Sequence, residues 1–285
     1  MPLKRILKKI LLKTKILKIF LIKLYKIRGQ KPWSLGYSVA KFSFIGDIVN
    51  TNLKIFSGHR LPSGYGVGFD ERVVEYPWVF SRLKKSDMTI LDAGSSLNHP
   101  DILNLPLLSN RELTLVTLAD EGRFPTRTKV IYSYQDLRHL DVRDEFFDAI
   151  ICISTLEHVG MDNTFLYTTD DAKKENDAQG YLTAVQEFKR VLKGGGTLYL
   201  TMPFGKHRNH GWFQVFDGRM VTKLMAEFSG QKSEKVFFKY TSHGWKYAKE
   251  EDCLESRYFD VHDTKRDTSS GPAASESVIC LELVK

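Results

Sequence analysis

The sequence predicts an α/β fold built on a mostly parallel sheet, preceded by a basic helix. Short apolar runs recur from Met88 onward and alternate with polar or helical stretches, as in chains of strands joined by helices. One of these runs, residues 147–155, is apolar at almost every position, which is typical of a central strand buried on both faces. The basic helix is predicted because residues 1–46 hold twelve Lys or Arg and no acidic residue.

The chain has 285 residues, enough for one sizeable domain with extensions or for two small domains. With 42% apolar and 27% charged residues it is expected to be globular and not disordered. The first 46 residues carry a charge of +12 and the whole chain a net charge of +8, so the rest of the chain carries a net charge of −4. A mildly acidic body behind a basic leader does not by itself indicate a nucleic-acid-binding protein.

The three cysteines, Cys152, Cys253 and Cys280, form no C-x-x-C pattern. Two of them lie in apolar runs that read as strands. Buried free thiols in a reducing compartment are therefore expected, and no disulfide framework.

Residues 1–30 are predicted to form a basic amphipathic helix. Apolar side chains share one side of it: Leu3, Ile6, Leu7, Ile10, Leu17, Leu21, Leu24 and Tyr25. Basic side chains share another, although Leu12, Ile19 and Ile22 intrude there: Lys4, Arg5, Lys8, Lys9, Lys15, Lys23 and Lys26. No apolar run exceeds four residues, far below the roughly 20 of a membrane-spanning helix. Interspersed lysines and the lack of a small-residue cleavage site also argue against a signal peptide.

The partner predicted for residues 1–28 is an anionic membrane surface, with the protein cytoplasmic and peripheral on the inner face of the membrane. Each basic residue near such a surface contributes on the order of 1 kcal/mol, and the apolar side adds insertion energy. A partner protein, a solvated tail and contact with nucleic acid remain alternatives. The stretch Gly29 to Pro32 is expected to end the helix.

Residues 31–87 are interpreted as a lead-in or cover segment. Its glycine-rich stretch "SGYGVGFD", residues 63–70, is expected to be a turn and not a phosphate loop, because no clear strand precedes it. The following "ERVVEYPWVFSRLKK" predicts a short helix that is interrupted at Pro77.

The main domain is placed at residues 88–285. Its predicted strands are "MTILDAG", "ELTLVTLAD", "KVIYSYQD", "FDAIICIST", "GTLYLTMPFG", "KVFFKY" and "SVICLELVK". A helix is predicted in "AQGYLTAVQEFKRVLKGGG", where the glycines would provide the C-terminal stop. The polar segment of residues 263–277 reads as a loop between the last two strands.

Small or polar residues follow each of the first four strands. In an open α/β sheet, ligands bind beyond the carboxyl ends of the strands. The residues expected there are Asp92, Gly94, Ser95 and Ser96 after the first strand, Asp120 and Glu121 after the second, Asp136 after the third, and Ser154, Thr155, Glu157 and His158 after the fourth.

These motifs resemble the class I S-adenosylmethionine-dependent methyltransferases, with signatures of the type 11 kind. The similarity lies in "ILDAGSS", "LTLVTLAD", "YQDLRHLDVRDEFFDAIICISTLEHVG" and "EFKRVLKGGGTLYLTMPFG", and it covers about residues 88–205. The resemblance implies a Rossmann-like, seven-stranded, mostly parallel sheet with an antiparallel last strand. It also implies S-adenosyl-L-methionine as the cofactor.

The resemblance assigns roles to the residues at the strand ends. Gly94 would let the backbone approach the methionine part of the cofactor. Asp120, or alternatively Glu121, would accept hydrogen bonds from the ribose hydroxyls. Asp136 would accept from the adenine amino group, with Leu137 packed beside the ring. The sulfonium end would be lined by Ser154 and Thr155, and the cofactor loop would comprise Asp92, Ser95 and Ser96.

The first loop departs from the Gly-x-Gly-x-Gly that is common in the family, since Ser96 and Asn98 replace the later glycines. S-adenosylmethionine has no phosphate, so the loop does not need a bare backbone. A serine can turn the chain and donate a hydroxyl, and Asn98 tolerates a left-handed conformation. The loop therefore predicts a working S-adenosylmethionine site and argues against NAD, whose pyrophosphate needs the glycines.

Three histidines are candidates for a general base: His158, His207 and His210. Methyl transfer is an in-line displacement that positioning alone can accelerate, but an oxygen acceptor often needs a base. His158 could be catalytic or structural, and Glu157 could orient the turn. His207 and His210 follow the fifth strand, either at the acceptor site or in a solvated loop, where Trp212 could stack on a ring.

The predicted function is methyl transfer to a small or glycan-type acceptor, at oxygen, near the membrane surface. A lipid or quinone acceptor, an RNA methyltransferase with a basic arm, and a non-catalytic binding protein are the alternatives. The sequence lacks an Asn/Asp-Pro-Pro-Tyr motif and a Pro-Cys pair, which argues against methylation of nucleic-acid bases. The acids within residues 168–179 fit a solvated insert better than a metal site, and no metal is expected.

Overall fold

A computed structural model describes residues 15–58, 60–122, 129–168, 170–260 and 273–285. Its strands are β1 (Thr89–Ala93), β2 (Glu112–Thr117), β3 (Val130–Tyr134), β4 (Phe147–Ile153), β5 (Leu192–Pro203), β6 (Arg208–Asn209), β7 (Gln214–Val215), β8 (Lys232–Thr241), β9 (Gly244–Ala248) and β10 (Ser277–Val284). The helices are α1 (Lys15–Ile27), α2 (Tyr37–Thr51), α3 (Arg72–Arg82), α4 (Pro100–Leu103), α5 (Thr164–Tyr167), α6 (Gly180–Val191), α7 (Gly218–Phe228) and α8 (Glu250–Cys253).

Eight strands form the main sheet in the order β3-β2-β1-β4-β5-β10-β8-β9. Strands β1 to β5 pair in parallel, and β10 lies antiparallel between β5 and β8. The predicted Rossmann-like sheet with an antiparallel last strand is therefore confirmed. The eighth strand, β9, was not predicted. It forms a hairpin with β8 in which Phe238 pairs with Tyr247, and its five residues are too few to show a clear alternation.

Helices cover both faces of the sheet. Helices α2 to α4 pack on the face that buries Ile90, Leu113 and Ile151, and α6 and α7 pack on the face that buries Leu91 and Ile150. Adjacent residues of β1 and of β4 thus enter the hydrophobic cores on opposite faces of the sheet, which explains why both strands carry apolar residues on both faces. All three cysteines are buried free thiols, as predicted.

Helix α3 continues through Pro77, so the predicted interruption is wrong. Proline has no N–H and cannot donate to the carbonyl of the residue four positions earlier, which here is Val73. The Tyr65 hydroxyl donates to that carbonyl oxygen at 2.7 Å. A side chain from the preceding glycine-rich segment thus replaces the missing helical hydrogen bond, and the helix persists.

Helix α6 ends at Val191 without the predicted glycine stop. The next residue, Leu192, already pairs with Phe147 of β4, and the three glycines lie within the long strand β5. Pairing with β4 therefore takes over directly where the helix ends.

The leader helix is docked on the body over its described residues. Tyr25 is buried, and its hydroxyl lies 3.0 Å from the carbonyl oxygens of Gln30 and Gly68. Helix α1 approaches Gly36 so closely that a Cβ there would lie 2.3 Å from the carbonyl oxygen of Leu21. The Lys18 amine lies 3.1 Å from a carboxylate oxygen of Asp101 in α4.

The predicted apolar side of the leader faces the protein over residues 15–27, because its Leu17, Leu21 and Leu24 are partly covered and Tyr25 is buried. Four apolar side chains remain exposed on α1: Ile16, Ile19, Phe20 and Ile27. The part of the prediction that falls on residues 1–14 lies outside the described residues. Within the part that the structure describes, no helix is both long and apolar enough to cross a membrane.

Candidate active site

A cavity of about 310 Å³ opens at the carboxyl ends of the parallel strands. This is the edge of the sheet at which open α/β folds bind ligands, and the volume is at the lower end of small-molecule sites. Eight of the predicted site residues line the cavity: Gly94, Asp120, Glu121, Asp136, Leu137, Ser154, Thr155 and His158. The other five do not: Asp92, Ser95, Ser96, His207 and His210.

Asp92 holds the loop after β1 in place. It is fully buried, and its carboxylate accepts hydrogen bonds from the Ser96 amide at 3.1 Å, the Ser96 hydroxyl at 2.8 Å and the Leu97 amide at 2.7 Å. Burial raises the pKa of Asp92 to about 7, although these hydrogen bonds oppose the shift. Ser96 therefore replaces a glycine with a hydroxyl that ties the loop to the strand.

The left-handed residue of this loop is Ser95, with φ of 56°. Asn98, which would tolerate a left-handed conformation, does not adopt one. The chain turns two residues after Ala93, directly beyond the strand, and Asn98 then follows in ordinary geometry. The altered loop is thus ordered by Asp92 and shaped by Ser95.

Gly94 is required by a neighbouring side chain. Its φ is 106°, and a Cβ built there would lie 2.2 Å from the Thr155 hydroxyl oxygen. The sequence predicted that this glycine makes room for a cofactor. The structure gives a different reason for it, namely the close approach of the residues that follow β1 and β4.

Two acidic residues follow β2 at the cavity. The Asp120 carboxylate is exposed and accepts from the Gly122 amide at 2.6 Å. The Glu121 carboxylate lies 3.3 Å from the hydroxyls of both Ser95 and Thr117. Both residues are exposed, and Glu121 also connects the end of β2 to the loop after β1.

Asp136 belongs to an ion-pair network that the sequence analysis missed. Arg138 donates to both of its carboxylate oxygens from Nε at 3.0 Å, and Arg138 Nη2 lies 2.6 Å from Glu175. Burial alone would raise the pKa of Asp136, but the hydrogen bonds from Arg138 outweigh it and hold the pKa below its usual value. The Asp-x-Arg spacing of residues 136–138 was the available sequence signal.

The cavity lining is predominantly negative. It contains four carboxylates, those of Asp120, Glu121, Asp136 and Glu175, and a single guanidinium, that of Arg138, which is already paired. An anionic pyrophosphate would find no unpaired cation among these described lining residues. A cationic ligand with hydrogen-bond donors, such as a sulfonium nucleoside, fits this lining.

His158 lines the cavity as a neutral imidazole. Its Nδ1 lies 3.0 Å from the Trp212 carbonyl oxygen, which can only accept, so Nδ1 carries the hydrogen and Nε2 has a free lone pair. Burial lowers the pKa of His158 to about 4, although its hydrogen bonds with the Trp212 carbonyl and the Asn163 side chain oppose the shift. The ring also packs 4.9 Å from the Trp212 ring, between centroids.

The other two candidate histidines lie outside the cavity. His207 is exposed, and its Nδ1 contacts the Val215 carbonyl oxygen at 2.9 Å. His210 stacks on Phe213 with 4.3 Å between ring centroids. Burial lowers the pKa of His210, and the Arg208 charge acts in the same direction.

Ser154 connects the cavity to helix α3. Its hydroxyl donates to a carboxylate oxygen of Glu75 at 2.7 Å, and its backbone has a left-handed φ of 39°. Ser154 therefore lies between the cavity and the cover segment, which the sequence analysis had not linked to the site.

Residues 109–200, from just before β2 into β5, match the family model described as a methyltransferase domain. Similar solved structures include the [4+2]-cyclase SpnF, which is 19% identical with a TM-score of 0.42. The match covers 66% of this chain and 72% of the SpnF chain. The N-methyltransferase NodS from Bradyrhizobium japonicum WM9 is 15% identical with a TM-score of 0.42, covering 70% of this chain and 86% of its own.

A third similar structure is the 1,6-didemethyltoxoflavin-N1-methyltransferase from Burkholderia thailandensis, which holds S-adenosylhomocysteine. It is 15% identical with a TM-score of 0.40, covering 70% of this chain and 71% of its own. A search of the curated proteins found no match. The strand order of the sheet establishes the fold, and residues 109–200 carry the similarity to methyltransferase domains.

Proposed function

Because this chain is an S-adenosylmethionine-dependent methyltransferase of the Rossmann-like, class I type, we propose that it methylates a small or glycan-type acceptor at an oxygen atom. The observation that supports this most directly is the acid-lined cavity at the strand ends, with a neutral histidine in it. The cofactor supplies an electrophilic methyl group on a sulfonium when it is bound. The protein's own residues bind, orient and accept a proton.

The cofactor would be held by the polar residues of the lining. Asp120 is proposed to accept from the ribose hydroxyls, because Glu121 already accepts from Ser95 and Thr117, whereas Asp120 accepts from the Gly122 amide of its own turn. Asp136 is proposed to accept from the adenine amino group, because its carboxylate lines the cavity and is held in place by the backbone amide and the guanidinium of Arg138. Leu137 would pack against the adenine ring.

His158 is proposed as the proton acceptor for a hydroxyl of the acceptor. Its imidazole is neutral at physiological pH, and the Trp212 carbonyl fixes the tautomer that leaves Nε2 unprotonated. A pKa near 4 makes it a weak base, so most of the acceleration would come from alignment of the two reactants. His207 is exposed, and His210 lies farther from the cavity.

The cofactor site is tested by calorimetric titration of the full chain with S-adenosylhomocysteine, beside NAD. Binding is expected for the former only, because the described residues of the lining offer no unpaired cation for a pyrophosphate. Asp120→Asn should weaken it about tenfold, the effect of losing one charge-assisted hydrogen bond. The control is Asp144→Asn, an exposed acid before the amino end of β4. Equal affinity in both variants would reject the role of Asp120, and absent binding would favour a non-catalytic protein.

We also propose that α1 binds an anionic membrane surface, which would suit a lipid or quinone acceptor as well. This rests on Ile16, Ile19, Phe20 and Ile27, which are exposed on a helix that also exposes Lys23 and Lys26. Exposed apolar residues beside lysines suit the boundary between headgroups and acyl chains. A basic arm that binds RNA would not need the apolar residues, and sedimentation with liposomes distinguishes the two.

A further inference from the structure

Buried carboxylates gather between helix α3 and the end of β4. Glu71, Glu75 and Glu157 are 5%, 0% and 3% exposed. Arg72 is paired with Glu75, its Nη1 lying 2.7 Å from a carboxylate oxygen. The nearby Lys41 is paired with Asp70 at 2.5 Å. The two remaining carboxyls, Glu71 and Glu157, therefore have no cation of their own among the described residues.

Glu157 is the least satisfied of these groups. Its Oε2 has no hydrogen-bond partner in the described part of the chain, whereas Glu71 accepts from the Ser275 amide at 3.2 Å. Burial raises the pKa of Glu157 to about 8; a backbone hydrogen bond and the Arg72 charge oppose the shift, and Glu75 and Glu71 add to it. Burial likewise raises the pKa of Glu71. Without a ligand, the cluster thus holds protons in place of a cation.

The cluster adjoins the cavity. Glu157 lies in the turn Leu156–His158, between the cavity residues Thr155 and His158. Glu75, which accepts from the Ser154 hydroxyl, connects the cluster to the cavity on its other side. A group bound at Glu157 would therefore lie beside the residues proposed to face the methyl group and the base.

A second unpartnered atom borders the same region. His210 Nε2 is buried and has no hydrogen-bond partner in the described part of the chain. The ring stacks on Phe213, which lies 4.6 Å from the Tyr258 ring between centroids. Burial raises the pKa of Tyr258, and the Glu71 charge adds to the shift. Tyr258 therefore lies between His210 and Phe213 on one side and the carboxylates on the other.

We propose that Glu157 and Glu71 form an acceptor subsite that binds a protonated amine of the acceptor. An ammonium group provides three hydrogen-bond donors and the positive charge that lets both buried carboxyls ionise. A neutral hydroxyl would supply a donor but no charge. The inference rests on the proposed function, since it describes the acceptor of the same reaction, and it selects amine-bearing acceptors, with the hydroxyl to be methylated held near His158.

The test compares ethanolamine with ethylene glycol, which differ by an ammonium in place of a hydroxyl. Binding of each is measured by thermal shift and calorimetry on the full chain, with and without S-adenosylhomocysteine. Ethanolamine is expected to bind at least tenfold more tightly than ethylene glycol. Glu157→Gln should remove this preference, and Glu71→Gln should reduce it. Glu251→Gln, an exposed acid in α8, is the control and should keep it.

S-adenosylhomocysteine affinity separates this inference from the proposed function. Glu157→Gln should leave that affinity unchanged, because the residues proposed to hold the cofactor are Asp120, Asp136 and Leu137. Equal binding of the two probes by the wild-type chain would overturn the ammonium subsite, as would a preference that persists in Glu157→Gln. If S-adenosylhomocysteine fails to bind while the ethanolamine preference follows Glu157, the proposed function fails and the subsite stands.

Discussion

Two residues near the cavity are constrained by their surroundings. At Gly94 the Thr155 side chain occupies the space that a Cβ would need. At Glu157 a buried carboxyl oxygen has no hydrogen-bond partner in the described part of the chain. The first is a steric requirement and the second an electrostatic cost. Each leads to a stability measurement with a defined sign.

Gly94→Ala should destabilise the protein by about 3 kcal/mol. The added methyl group would meet the Thr155 side chain at 2.2 Å, and φ of 106° is unfavourable for alanine. Urea denaturation of both proteins measures the change. Gly194→Ala is the matched control, because nothing lies within 4 Å of a Cβ there. A cost no larger than that of the control would show that the contact with Thr155 relaxes freely.

Glu157→Gln should change how stability depends on pH. The folded pKa of Glu157, about 8, lies above the ordinary value of 4.5, so the carboxyl stays protonated in the folded state while the unfolded chain ionises. Wild-type stability is therefore lost as the pH rises from about 5 to 8, by an amount on the order of 3 kcal/mol. The variant lacks this loss, although Glu71, Glu75, Arg72 and Tyr258 around it still titrate or carry charge.

Denaturant titrations at several pH values, with wild type and variant side by side, give the difference directly. The stability of Glu157→Gln relative to wild type should grow steadily between about pH 5 and pH 8. A constant difference over that range would mean that Glu157 is ionised in the folded protein, and the argument for an unsatisfied carboxyl would fail.

At the scale of elements, the strands were predictable and much of the cover was not. Each of strands β1 to β5 contains a short apolar run, and β4 is buried on both faces, which is visible in the sequence alone. Helix α2 was missed, since it is packed between α1 and α3 and shows no clean apolar side. For the same reason the contacts between α3 and the site were missed: Glu75 reaches Ser154 across 79 positions of sequence.

The strand-end rule brings eight of the thirteen candidate residues to the cavity, because it depends only on local sequence and on parallel pairing. It does not do so for side chains that point away from the cavity edge, such as Asp92, or for His207 and His210 in the later segment. Which way a side chain faces after the strand ends depends on loop geometry, and no periodicity encodes that geometry.

Helix α3 makes its own prediction through Pro77. Tyr65→Phe should cost about 1–2 kcal/mol of folding stability, because the Val73 carbonyl loses its donor inside the protein. In a Pro77→Ala background the cost should be smaller, since the new N–H can donate to that carbonyl. A double-mutant cycle in urea gives the coupling energy. Equal costs in the two backgrounds would exclude the compensation between Tyr65 and Pro77.

At the scale of the whole molecule, charge and exposed apolar surface coincide on the leader. The basic residues are concentrated in the first 46 positions, and α1 is held against the body at Tyr25 and Lys18. The exposed apolar residues of α1 are therefore presented in a fixed orientation relative to the cavity. A membrane-bound molecule would keep one face toward the lipid.

Liposome sedimentation of the full chain should show retention on vesicles containing phosphatidylglycerol and little on pure phosphatidylcholine. The double change Ile16→Ser and Phe20→Ser should reduce retention at least tenfold, because it removes two exposed apolar side chains from the bound surface. Leu254→Ser, which removes an exposed leucine elsewhere, is the control. Undiminished retention in the double variant, or steeply salt-dependent RNA binding that survives it, would favour the basic-arm interpretation.

The place of β10 in the sheet has a consequence for synthesis. Strands β1 to β5 are complete once residue 203 has left the ribosome, but β10, residues 277–284, lies between β5 and β8. Until it emerges, β5 presents one unpaired edge, and the β8–β9 hairpin has no attachment to the rest of the sheet. At roughly 5–20 residues per second this interval lasts seconds. The nascent chain thus depends during that time on whatever shields the edge of β5, a strand that the finished protein buries from Gly196 to Pro203.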